Sequence, residues 1–217
     1  MEKVYLHALS TYVEENRYLE NYYSSRQTII LLNKVLKRGA LLSLRNQRKL
    51  SKSNFTGSNY ISLCDYDKRN LFHKDDPTYN SYNVYIRNYL SLMFDSKNID
   101  AVVPKTVNIS NKDLEGFRRM EKLGKDKLCR YSDLVDEVQV KDKLLLTNLI
   151  GLTLPTWLLI NKKASNDENI YNIVYEVNKI KTLLDKYNYK LPIYDIDSFS
   201  TITNENEVEK LILVKKD

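Results

Sequence analysis

Apolar and polar residues alternate with a period of two in KVYLHALS, near the start of the chain. That period predicts a first strand with Tyr5 and His7 on one face and Leu6 and Ala8 on the other. From Leu19 through Ile29, Leu32, Val35 and Leu36 the spacing becomes helical, with Lys37 and Arg38 in the last turn and Gly39 as the stop. ALLS leads into LRNQRKLSKSNFTGSN, a basic stretch without a period that reads as an exposed loop. YISLCDY restores the period of two, with Tyr60, Ser62 and Cys64 facing one way and Ile61 and Leu63 the other.

After a loop over DKRNLFHKDDPT, YNSYNVYIRNYL reads as helical, and SLMFDSKNIDAVVP as one or two strands ended by Pro104. KDLEGFRRMEKLG predicts a helix stopped by Gly124, followed by strands in LVDEVQV and NLIGLTLP. Ile170, Ile173, Val174, Val177, Ile180 and Leu184 then form one helical stripe. KLPIYDID closes as a strand, and NEVEKLILVKKD has no decisive period. Strands and helices follow in mixed order, with neither regular βαβ alternation nor a glycine-rich phosphate loop. The expectation is a single α+β domain over residues 1–217, with an antiparallel-dominated, split β-sheet and flanking helices.

Composition narrows the function. With 42% hydrophobic and 29% charged residues, the 217-residue chain reads as one globular domain able to bury a core. No apolar run of about 18 residues occurs, so no membrane partner is expected, and the opening MEKVYLHALS lacks the pattern of a secretory signal. Two cysteines, Cys64 and Cys129, and two histidines, His7 and His73, are too few and too scattered for a zinc cluster. A cytoplasmic protein with reduced thiols and no metal is expected. The net charge of +6 favours an anionic partner such as nucleic acid or a phosphorylated cofactor.

The candidate chemistry lies in DEVQV. Alternation puts Val135, Glu137 and Gln139 on one face and Asp136, Val138 and Val140 on the other. The second set suits a core, which aims Glu137 and Gln139 away from it. That pattern fits the wall of a cleft and equally a wet surface. In front of it, GKDKLCRYSD carries Lys127, Arg130 and Tyr131, cations and a ring suited to a phosphate-bearing acceptor or to a charged surface turn.

The order YLHALS, LNKVLKRGALLS, NYISLCDY, DEVQV and LIGLTLP resembles the ADP-ribosyltransferase superfamily, with some likeness to its DarT-type branch, over roughly residues 4 to 155. The resemblance implies an ADP-ribosyltransferase-like fold and NAD as co-substrate, without a metal. It implies a first-strand His7 at the NAD ribose, a strand bearing Ser62 beside the nicotinamide, and Glu137 as the catalytic carboxylate. Tyr60, Tyr66, Tyr79 and Tyr82 are the candidates for stacking on nicotinamide. Two departures stand out: a Ser-Thr-Ser strand motif is missing, and the residue two before Glu137 is Val135. Gln139 is then the candidate for the partner's task.

The function so implied is that of a toxin or defence factor, a glycosyltransferase that modifies nucleic acid or a protein acceptor, with a neutralising antitoxin as a possible partner. The rival reading is a non-catalytic module that binds nucleic acid or protein through a basic, tyrosine-rich surface.

Overall fold

The structure, a computed structural model, describes residues 4–9, 25–43, 46–47, 59–66, 89–101 and 137–215. It is an α+β fold with a mixed six-stranded sheet and flanking helices. The strands are β1 (Val4–Ala8), β2 (Ala40–Leu42), β3 (Tyr60–Tyr66), β4 (Ser91–Asp95), β5 (Glu137–Lys141), β6 (Lys143–Leu145), β7 (Leu149–Leu154) and β8 (Ile193–Asp195). The helices are α1 (Ser25–Arg38), α2 (Asn166–Lys186) and α3 (Glu205–Val214). Sheet order is β5-β3-β1-β4-β7-β8, with β2 and β6 forming a separate two-stranded ribbon. Every neighbouring pair is antiparallel except β7 and β8, which are parallel and joined through α2, the long crossover that a parallel pair requires.

Period-two alternation sorts the sheet into two faces. Tyr5, Ile61, Leu63, Leu92, Phe94, Val138, Val140, Leu152, Leu154 and Ile193 point into the large core. There they meet Leu32, Val35 and Leu36 of α1, Ile173, Val177, Ile180 and Leu184 of α2, and Val208, Leu211 and Ile212 of α3. The opposite face carries a smaller cluster of Val4, Leu6, Cys64 and Met93, covered by Ile196 and Phe199 from the turn after β8. A register shift next to Met93 pairs Phe94 with Leu149 and skips Ile150. The bulge returns Leu149 to the core and leaves Ile150 exposed.

Helix ends follow local chemistry. Gly39 takes φ +65° behind α1, a conformation that costs glycine nothing. Ser165 and Glu168 form a reciprocal capping box on α2, and Asn204 and Glu207 form another on α3. The segment without a decisive period is therefore helical as far as Val214. ALLS, read as the entry to a loop, instead forms β2 against β6. The helix expected over KDLEGFRRMEKLG lies outside the described residues, as does that over YNSYNVYIRNYL apart from Tyr89 and Leu90, which are not helical.

Behind β8, Asp195 is fully buried and organises a polar knot. Its Oδ1 accepts from the Thr156 hydroxyl and from Lys215 Nζ at 3.0 Å. Its Oδ2 accepts from Ser198 N and Oγ at 2.8 and 2.7 Å. Lys215 also reaches Asp197 at 3.3 Å. The knot ties the end of α3 to the turn that carries Ile196 and Phe199 over the smaller cluster.

Candidate functional site

The three strands that carry the candidate chemistry are immediate neighbours, β5 beside β3 beside β1. Register sets Gln139 across from Ser62, Glu137 across from Cys64 and Tyr60 across from Lys141. Directly opposed side chains in such a pair are about 5 Å apart at Cβ. Gln139 is half-buried, and its neighbours Val138 and Val140 are buried in the large core, as the alternation predicts. The Glu137 side chain lies outside the described atoms.

The sheet opens between β1 and β3. The β1–β4 ladder runs the whole length of β1, from Val4 to Ala8. On the other side, β1 pairs with β3 only from Val4 to Leu6, opposite Tyr66 to Cys64. Beyond that point β3 continues with β5 as far as Tyr60, so the β1–β3 ladder stops short of His7 and Ala8. The imidazole of His7 closes the gap: its Nδ1 lies 2.9 Å from the Ser62 carbonyl. A carbonyl only accepts, so Nδ1 carries the proton and donates it. Burial pushes the pKa of His7 below its usual value, and the bond to Ser62 opposes that shift. The ring is neutral at pH 7, leaving Nε2 as an acceptor.

His7 shares the alternation of Tyr5 and so belongs to the core-side set, whereas Ser62 and Gln139 belong to the opposite set. The fold brings these residues together at a break in the sheet rather than on one flat face. A row of small and polar residues crosses the sheet there. Ala8, Ser91 and Thr153 are in register across β1, β4 and β7, and Ser62 and Gln139 across β3 and β5. Ser91 and Thr153 are fully buried, and the Thr153 hydroxyl has no hydrogen-bond partner among the described residues. Sequence reasoning missed both, because a lone serine or threonine in a strand carries no local signal of its neighbours.

Two of the tyrosines considered for stacking lie on β3. Tyr60 is 40% exposed at one end, and Tyr66 is at the other, across from Val4. Six steps along the strand separate them by about 20 Å, so a single nicotinamide-sized ring reaches only one. Tyr79, Tyr82, Lys127, Arg130 and Tyr131 lie outside the described residues. No group of three or more potential metal ligands occurs among the described residues, and no helix among them is long and apolar enough to cross a membrane. A shallow depression at the start of α2, lined by Lys163, Asp167, Glu168 and Tyr171, involves none of the candidate residues.

Comparison with family models, curated proteins and solved structures finds no match for the chain.

Proposed function

We propose that the chain is an NAD-dependent ADP-ribosyltransferase, a toxin or defence factor, with Glu137 as its catalytic carboxylate and nucleic acid as its preferred acceptor. One observation carries this reading. The strands bearing His7, Ser62 and Glu137 are consecutive neighbours, and the sheet parts beside His7. The reading asks for that adjacency: a first strand at the ribose, a second flanking the nicotinamide, and a third supplying the carboxylate.

Cleavage of the nicotinamide–ribose bond builds positive charge on the anomeric carbon. A carboxylate fixed beside that carbon stabilises the charge and holds the 2′-hydroxyl. Gln139, two residues further along β5 and across from Ser62, orients the incoming acceptor, whose nucleophilic atom bonds to the anomeric carbon as nicotinamide leaves. His7, its Nδ1–H held by Ser62, presents Nε2 as acceptor to a ribose hydroxyl. Tyr60 or Tyr66 stacks on the nicotinamide ring, according to which end of β3 it occupies.

The test is NAD consumption by the purified protein and by Glu137→Gln, each with and without RNA and single-stranded DNA. The substitution should leave far-UV circular dichroism unchanged and lower turnover at least about 100-fold. Full NAD cleavage by Glu137→Gln would remove the carboxylate from its assigned role. No cleavage by the wild type under any condition would overturn the transferase reading.

A further inference from the structure

Helix α1, SRQTIILLNKVLKR, contains four basic residues and no acidic one. At about 100° per residue, Arg26, Ile30, Lys34, Lys37 and Arg38 fall within an arc of roughly 120°, opposite Thr28, Leu32, Val35 and Leu36. The second set is buried in the core and the first is exposed. None of the four cations makes an ion pair or side-chain hydrogen bond among the described residues. The α2 contacts to this helix leave the charge uncancelled. Lys179 bonds Ser25 and neutralises Glu176, and Tyr187 donates its hydroxyl proton to Asn33. The result is a cationic stripe about 18 Å long from Arg26 to Arg38.

We infer that this face of α1 is a docking surface for the phosphodiester backbone of nucleic acid. Four unpaired cations along one line are costly to the folded chain through self-repulsion and gain nothing from internal partners. They match a polyanion whose charges also run in a line, and each contact releases a condensed counterion. The arginines offer forked donors to phosphate oxygens, while the lysines act as point charges. This inference rests on the transferase reading only for what is done to the bound strand; the binding itself follows from the helix.

The experiment is fluorescence anisotropy of a labelled oligodeoxythymidine of about 20 nucleotides, titrated with protein between roughly 50 and 200 mM salt. The wild type is compared with R26Q/K34Q/K37Q/R38Q. A control, K162Q/K163Q/K190Q/K210Q, removes the same charge from other described surfaces. For a single strand, each lost phosphate contact lowers the slope of log K against log salt by about 0.7, so four lost contacts lower it by about 3. The stripe variant should show this loss and the control should keep the wild-type slope. A slope change below about 0.7 in the stripe variant, equal losses in both variants, or no binding by the wild type would overturn the inference. Glu137→Gln keeps the stripe and should bind as the wild type does. Binding by the wild type that persists without any NAD cleavage would sink the transferase reading and leave this one standing.

Discussion

Replacing Asp195 by alanine tests what holds the turn over the smaller face of the sheet. The carboxylate is fully buried and accepts from four donors on three partners, Thr156, Lys215 and Ser198. Ser198 is exposed, so water replaces its two bonds at little cost. Thr156 is buried, and Lys215 keeps only 21% of its side chain in contact with solvent. Two bonds from buried donors to a charged acceptor are worth about 1.5–3 kcal/mol each. Lys215 retains Asp197 at 3.3 Å, which places the expected loss near the lower bound, about 3 kcal/mol. For a chain of this size that corresponds to a fall in Tm of about 6–12 °C.

Urea denaturation followed by circular dichroism, and by the fluorescence of the single tryptophan, measures this loss. Trp157 adjoins Thr156 and so reports on the knot itself. Asp197→Ala provides the contrast. Asp197 is 25% exposed, and the loss of its bridge to Lys215 should cost under about 1 kcal/mol. Equal and small effects of the two substitutions, each below about 1 kcal/mol, would refute the assignment of Asp195 as the organising charge.

Two further outcomes follow from the packing. A Cβ at Gly151 would lie 2.8 Å from Tyr194 Cε2, 3.0 Å from Met93 Cε and 3.2 Å from the Pro192 carbonyl oxygen. Gly151→Ala should therefore destabilise by about 1–3 kcal/mol in the same denaturation assay, the Pro192 backbone being the contact least able to yield; an unchanged midpoint would show that the strands part freely there. Burial keeps His7 neutral in the fold, so the unfolded chain binds its proton more readily between the lowered folded value and the ordinary 6.5. Stability should rise with pH across that window and level off above it, and His7→Gln should flatten the rise, as urea midpoints measured at several pH values would show.

Much of the local architecture was legible because each segment carries its own period. Tyr5 against Leu6, Ile61 against Ser62, and Val138 against Gln139 each declare a face. Gly39 stops α1 where a left-handed residue is needed. The segment left ambiguous, NEVEKLILVKKD, had a readable signal just ahead of it in Asn204, followed three residues later by Glu207, with Val208, Leu211 and Ile212 at helical spacing behind. Three-residue strands such as β2 and β6 are too short to show a period, and each exists only because the other is there.

The site was legible in its residue types and not in its geometry. Alternation could not say that β5 lies next to β3, or that pairing between β1 and β3 stops at Leu6, because both depend on partners more than 50 residues away. Nor could it bring Lys215 to Thr156, which is 59 residues distant.

The strand order also constrains when such a site can exist. β1 sits between β3 and β4, and β4 is flanked by β7, whose partner β8 follows the long helix α2. Contacts so distant in sequence form slowly, since long loops must close before any pairing is gained. By contrast β7, α2, β8 and α3 are consecutive and pack on one another, so this segment is the natural nucleus for folding. On the ribosome it emerges after the strands that carry His7, Ser62 and Glu137. Those strands can pair with one another as they emerge, but they lack β7, β8 and the layer of α2 and α3 until most of the polypeptide has been synthesised. A nascent chain stalled ahead of Leu149 holds every candidate residue and four neighbouring strands of the sheet, without the α2 and α3 side chains that complete the core beneath them.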